Sequence, residues 1–167
     1  MRLFPFALSN RRDTADLTYY PNLTGMTSFH PDRGQEEALL SGIIHNLTSL
    51  DATGPGAALA GSNEYLEERL QSTTFRAERR TLSDVLAELG IARVDLLKID
   101  VQKAEVEVLE GIADEDWAKI GQLAIELHDL DHTLERVRAI LAGRGYRVTV
   151  EQDSLHAGTV VHFLYAT

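Results

Sequence analysis

The chain has 167 residues, 44% of them hydrophobic and 25% charged, with a formal net charge of −10. That length suits one domain with a real core, and the composition excludes disordered and low-complexity classes. The lack of cysteine excludes disulfides, thiolate metal sites and a cysteine nucleophile, and suits a cytoplasmic setting.

No apolar run is long enough to span a bilayer, so no membrane association is expected. Residues 1–5 turn polar too soon to be a signal peptide. The charge is uneven. Residues 1–80 carry 8 Lys and Arg against 10 Asp and Glu, a net of −2, and residues 81–167 carry 8 against 16, a net of −8. Such a surface repels a phosphate backbone, so nucleic acid is not an expected partner.

In chain order, residues 3–8 read as a strand, with Pro5 marking its start or an edge position. Residues 15–20 form an alternating, β-prone run, and residues 21–25 carry turn chemistry. Leu39, Ile43 and Leu47 recur at four-residue spacing and predict a helix over 35–47. Residues 48–62 read as a small-residue loop. Its Gly54-Pro55-Gly56 invites a phosphate-loop reading, but such a loop follows a strand and opens a helix, whereas this one follows a helix and contains proline. A short helix over 64–71 then precedes the arginine-rich 75–80.

From Thr81 the signals sharpen. Thr81-Leu82-Ser83-Asp84 has the pattern of a capping box with Asp for Glu, and Gly90 is a natural helix stop. Residues 94–99 are apolar enough for a central parallel strand, with Asp100 at its carboxyl end. Lys98 inside that strand requires a partner or an exit to solvent. A helix is predicted over 101–112, with Val101, Ala104, Val108 and Ile112 inward and Glu107 and Glu110 outward. Residues 123–127 are the next strand, followed by His128 and Asp129, and Leu134, Val137 and Leu141 mark another helix. Residues 146–150 and 159–165 alternate as a closing hairpin.

This order predicts an α/β fold, a mostly parallel sheet with helices on both faces and a C-terminal antiparallel strand pair. Open sheets of this kind bind ligands beyond the carboxyl ends of their strands, where Asp100, Glu126 and His128 stand. Asp100 can orient a ligand amine or hydroxyl, bind a cation or act as a base; equally, it can merely cap the helix that follows. His128 titrates near neutrality and can accept a proton from a substrate hydroxyl, with Glu126 orienting it or holding the substrate.

The word Val94-Asp95-Leu96-Leu97-Lys98-Ile99-Asp100-Val101-Gln102-Lys103-Ala104-Glu105, followed by Val108-Leu109-Glu110-Gly111-Ile112, Ile125-Glu126-Leu127-His128 and Gly145-Tyr146-Arg147-Val148, resembles the FkbM family of S-adenosylmethionine-dependent methyltransferases. Ala7-Leu8-Ser9-Asn10, Thr18-Tyr19-Tyr20-Pro21 and Gly25-Met26-Thr27-Ser28-Phe29 carry the likeness upstream. Val150-Glu151-Gln152-Asp153 extends it toward variants embedded in polyketide and nonribosomal peptide synthetases. A response-regulator receiver also ends a strand in an acid, but Ile125-Glu126-Leu127-His128 stands where a receiver needs a small hydroxyl residue.

The resemblance implies a partial Rossmann-like, class I methyltransferase domain over residues 1–167, with the family's first two strands and glycine-rich cofactor turn absent. It implies S-adenosylmethionine as cofactor, with Asp100 and Ser9 on the cofactor side, His128 taking the departing proton and Glu126 orienting. The acceptor would be a hydroxyl of a natural product or sugar-like molecule, free or carrier-bound. Gln102 stands where the family usually has an acid, and Lys103 where it often has glycine. A metal role for Asp100 with Glu126 stays open. The missing front half also motivates an alternative, a non-catalytic domain with a structural or interaction role, and it implies association with that half or between copies of the chain.

Overall fold

Two mixed sheets organise residues 2–51 and 63–167, the part of the chain described by the computed structural model. The Gly54-Pro55-Gly56 segment lies outside these residues. The elements run β1 (Ala7–Leu8), β2 (Asp13–Tyr19), a 3-10 turn (Thr24–Met26), α1 (Arg33–Leu50), α2 (Asn63–Arg69), β3 (Thr73–Arg80), α3 (Leu82–Leu89) and β4 (Leu97–Ile99). Then follow α4 (Glu105–Glu110), a 3-10 segment (Asp114–Lys119), β5 (Leu123–His128), α5 (Thr133–Gly143), β6 (Val148–Glu151) and β7 (Val161–Ala166). The spatial orders are β1-β3-β2 and β4-β5-β7-β6.

The α/β class holds, but the expected parallel majority does not. β1 with β3 and β4 with β5 are parallel, whereas β2 with β3, β5 with β7 and β6 with β7 are antiparallel. The reason is that β7 enters between β5 and β6, and β2 lies along β3 in the opposite sense. The predicted closing pair is β6 and β7, with Val148 opposite Ala166 and Glu151 opposite Phe163.

The arginine-rich 75–80 belongs to strand β3, an element its composition conceals. Its partners explain it: Arg79 lies opposite Asp13 and Arg76 opposite Asp16, and both pairs are salt-bridged. Opposite charges facing each other across an antiparallel pair stabilise the ladder beside the apolar Leu17–Phe75 and Ala15–Ala77 pairs. Tyr19 and Phe75 add a tilted ring contact at 6.1 Å.

The α3 boundaries follow the sequence closely. The Thr81 hydroxyl accepts from the Asp84 amide at 3.0 Å, the Asp84 carboxylate accepts from the Thr81 amide, and Gly90 closes the helix at φ 63°. The strand predicted over 94–99 shortens to Leu97–Ile99, because Val94 bridges to Ile120 and Leu96 turns outward. Among the described residues β4 ends its sheet rather than sitting centrally. The following helix starts four residues later than predicted, at Glu105, since Gln102 (φ 47°) and Lys103 (φ 74°) adopt left-handed backbone that no α-helix accommodates.

One face of the four-stranded sheet buries Ile125, Leu127 and Leu164 against Val108 and Leu109 of α4 and Val137 and Leu141 of α5. The opposite face begins a second cluster, where Val161 meets Leu39, Leu40 and Ile44 of α1 with Tyr20 and Met26. Each such fully buried aliphatic side chain contributes about 1.5–3 kcal/mol. Helices therefore lie on both faces of β5 and β7.

α4 comes unusually close to the chain leaving β1. A Cβ on Gly111 would collide with the Ser9 carbonyl oxygen. Gly111→Ala is accordingly expected to cost about 1–3 kcal/mol, the usual penalty for forcing extra volume into packed structure. Urea unfolding measures this, and an unchanged midpoint would show that the β1 end yields freely.

Candidate functional site

Parallel pairing of β4 and β5 places Ile99 opposite Ile125, so Asp100 and Glu126 emerge side by side at the carboxyl ends. Asp100 is exposed and accepts a hydrogen bond from the Lys98 ammonium at 2.8 Å, which is the solvent exit that lysine required. Asp100 does not cap α4, whose N-cap is Ala104 without a side-chain bond. The Glu126 carboxyl is raised above its ordinary range, first by burial and then by the negative charge of Asp100, against the pull of His128, His156 and Lys98.

His128 is 3% exposed. Its Nδ1 lies 3.0 Å from Oε1 of Glu105, a carboxylate only 1% exposed. The bond that orients the ring thus comes from Glu105, while Glu126 stands two residues away on the same strand face. Oε1 of Glu105 also accepts from the Lys103 amide at 3.0 Å. The Lys103 ammonium reaches across to Oε1 of Glu36 at 3.2 Å, and the Tyr20 hydroxyl donates to Oε2 of Glu36 at 2.6 Å. Burial first, and then the Glu36 carboxylate, push the Tyr20 hydroxyl well above its ordinary value.

Glu126 and His128 share a cavity of about 180 Å³ with Gln102 and His156, walled by Leu39 and Ile43 of α1 and by Met26. A neighbouring hollow of about 230 Å³ runs along α1 past Gln35, Leu39 and Gly42 to Leu130 and Val160. One side of this site is therefore polar and able to exchange protons, and the other is apolar.

Ser9 lines neither cavity. Its hydroxyl donates to Oε2 of Glu107 at 2.6 Å, and Glu107 also meets His30 Nε2 at 2.6 Å and the Arg79 guanidinium at 3.3 Å. Glu107, expected outward, is turned into this cluster. Burial alone would raise its carboxyl, but Ser9, His30 and Arg79 hold it below the usual range. Arg79 in turn grips Asp13 with two bonds of 2.7 Å.

Sequence reading missed Glu105, Glu36, Lys103 and Tyr20. A usable signal existed for two of them. Glu36 lies on the stripe of Leu39, Leu40 and Ile43, and Glu105 lies on the stripe of Val108 and Ile112, so both acids fall on inward helix faces. Among the described residues, no group of three His, Asp or Glu side chains is placed to hold a metal ion.

In an open α/β sheet, ligands bind beyond the carboxyl ends of the strands, which is where Asp100 and His128 stand. The model of the methyltransferase FkbM domain matches residues 3–148, and the chain belongs to that family. It is 41% identical over 158 residues to the 31-O-demethyl-FK506 methyltransferase FkbM of Streptomyces tacrolimicus, covering 93% of this chain and 57% of that protein. It is 34% identical over 176 residues to the AMB antimetabolite synthetase AmbE of Pseudomonas aeruginosa, covering 99% of this chain and 8% of the synthetase. With the methyltransferase sdnD of Sordaria araneosa it shares 28% identity over 151 residues, 85% of this chain and 52% of that protein. The chain thus spans little more than half of these two methyltransferases and a small part of the synthetase. No solved structure matches it.

The family implies S-adenosylmethionine, and the described residues fit one edge of it. The exposed Asp100 carboxylate suits an ammonium or a ribose hydroxyl. The cavity at His128 is smaller than the roughly 300–1,000 Å³ of pockets that enclose whole ligands, so it suits part of an acceptor.

Arg79 and then Arg11 hold the Asp13 carboxyl far below its ordinary value. The unfolded chain therefore takes up this proton first as pH falls, so the stabilisation is complete above about pH 4 and is lost on acidification below it. Asp13→Asn is expected to lower Tm at pH 7 and to flatten the fall of Tm below pH 4. Thermal melts across pH 2–7 measure both, and an unchanged acid limb would refute the assignment.

Proposed function

We propose that residues 1–167 form one domain of an S-adenosylmethionine-dependent O-methyltransferase acting on a hydroxyl carried by a largely apolar skeleton. The observation that carries this reading is His128: a buried imidazole, bonded at one nitrogen and bordering a cavity with an acid on one side and aliphatic walls on the other. Family membership supports methyl transfer. The apolar walls and the net charge of −10 disfavour an anionic acceptor.

When bound, the cofactor supplies a methyl group on a sulfonium, ready for in-line displacement. The chain's own residues do the remaining work. Met26, Leu39 and Ile43 hold the acceptor skeleton and exclude water. Glu126, whose raised carboxyl keeps a proton to higher pH than usual, hydrogen-bonds the acceptor and sets its angle. His128 would take the proton that the acceptor hydroxyl gives up on methylation, the methyl group being what the cofactor would supply. Asp100 places the cofactor through its ammonium or ribose. Ser9, assigned to the cofactor by resemblance, acts through Glu107 and the position of α4. The likeness to part of a synthetase supports a carrier-bound acceptor as one form of the substrate. A cytoplasmic setting agrees with the absence of cysteine and with described helices too short or too polar to cross a membrane.

Two measurements test the reading. Calorimetric titration of S-adenosylmethionine into the chain should show micromolar binding that weakens at least tenfold in Asp100→Ala. S-adenosylhomocysteine release with a panel of carbocyclic and macrocyclic secondary alcohols should fall about 10²-fold or more in His128→Ala, the scale of a lost general base. Near-unchanged turnover in that variant would overturn the assignment of His128.

A further inference from the structure

A histidine takes a proton from a substrate only when the nitrogen facing that substrate carries a lone pair, and the bond at the other nitrogen decides which one does. At His128 that bond is made to Glu105 Oε1, 3.0 Å from Nδ1. The same oxygen already accepts from the Lys103 amide at 3.0 Å. An oxygen receiving two such contacts serves as acceptor in both, so the proton between Oε1 and Nδ1 belongs to the nitrogen. Neutral His128 is then the Nδ1–H tautomer, with its lone pair on Nε2. With ring and carboxylate 3% and 1% exposed, water does not compete for either partner.

From this geometry we infer that Glu105 is the positioning residue of the site, fixing the tautomer and ring plane of His128 so that Nε2 is the proton acceptor. The inference rests on the reading of His128 given under Proposed function, and it names a residue which that reading does not use.

The setting of Glu105 supports the role. It follows two consecutive non-glycine residues in left-handed backbone, Gln102 at φ 47° and Lys103 at φ 74°. Such a conformation is strained for a residue with a side chain and persists only where its surroundings over-determine it. Three remote segments do so here. The Ser28 hydroxyl donates to the Gln102 carbonyl at 2.6 Å, the Lys103 ammonium is held by buried Glu36, and Glu36 is held by Tyr20 and by the Asp32 amide. The strained turn aims the Lys103 N–H at Glu105 and removes its ammonium to Glu36. Glu105 thereby keeps its charge for the histidine. Its second oxygen, Oε2, is buried without a hydrogen-bond partner among the described residues. A carboxylate so incompletely satisfied gains most when the ring opposite becomes an imidazolium, which is the state that proton transfer creates. Of the other ionisable groups near the ring, Glu126 and His156 border one cavity with it and Glu36 and Lys103 border another, and Nδ1 bonds to Glu105 rather than to any of them.

The experiment is nitrogen-15 NMR of the imidazole in the intact chain at a pH where His128 is neutral. The wild type should show one tautomer, Nδ1–H. Glu105→Ala should lose the preference and show both tautomers. Glu105→Gln should restore it, because the amide oxygen can accept from Nδ1–H and from the Lys103 amide together. A wild type with Nε2–H, or an Ala variant with the tautomer unchanged, would overturn the proposal. If Glu105→Ala fails to fold, the wild-type and Gln spectra still decide it. Failure of the functional reading looks different: the tautomer would be as expected while His128→Ala left methyl transfer intact.

Discussion

The site depends on one short helix, two of whose three carboxylates are satisfied in opposite directions. From α4, Glu105 reaches His128 on the four-stranded sheet, and Glu107 reaches Ser9 beside β1 and Arg79 on β3 of the three-stranded sheet. Ionised groups withdrawn from water need partners, and removing one partner of a buried pair typically costs about 3–5 kcal/mol. The two sheets share few backbone contacts, so these polar links fix where one sits against the other. Gly111, just past α4, lets that helix approach the Ser9 carbonyl closely enough for the Glu107 bond to form.

Charge is handled differently on the two sides of α4. On the Arg79 side the guanidinium is clamped by Asp13 and Glu107 and lies over the Phe29 ring at 5.4 Å, so positive and negative groups balance locally. On the His128 side one cation, Lys103, goes to Glu36, and Glu105 is left with the imidazole and a backbone amide. The first arrangement suits rigidity. The second leaves a buried carboxylate with one unpartnered oxygen beside the histidine that borders the cavity.

How much of this was legible in the sequence varied with the range of the forces involved. Local signals were read correctly: the Thr81–Asp84 capping box, the Gly90 stop, the β5 strand and the final strand pair. The strand ends holding Asp100, Glu126 and His128 were also visible, since the β–α alternation places them. What was hidden depended on partners far along the chain. β3 looks like a charged linker until Asp13 and Asp16 stand opposite its arginines. The late start of α4 follows from Ser28 and Glu36, some seventy residues away, which hold Gln102 and Lys103 out of helical backbone. Glu107 read as an outward helix acid because its burial follows from pairing with Ser9, His30 and Arg79, which periodicity does not encode, whereas Glu105 lay on the inward stripe of Val108 and Ile112 and went unused.

The links that close around α4 also differ from the sheet pairings in the length of chain they close. Ser9 and Glu107 are 98 residues apart, and Asp13 and Arg79 are 66 apart, whereas every strand of the four-stranded sheet comes from residues 97–166. Closing the longer loops costs more chain entropy before any bond is gained. The strands of the C-terminal sheet are thus brought together by shorter closures than the links to the small sheet. The cavity at His128 is therefore built from two ranges of sequence, with α1 giving the apolar wall and holding Lys103 through Glu36, and the C-terminal sheet giving the histidine.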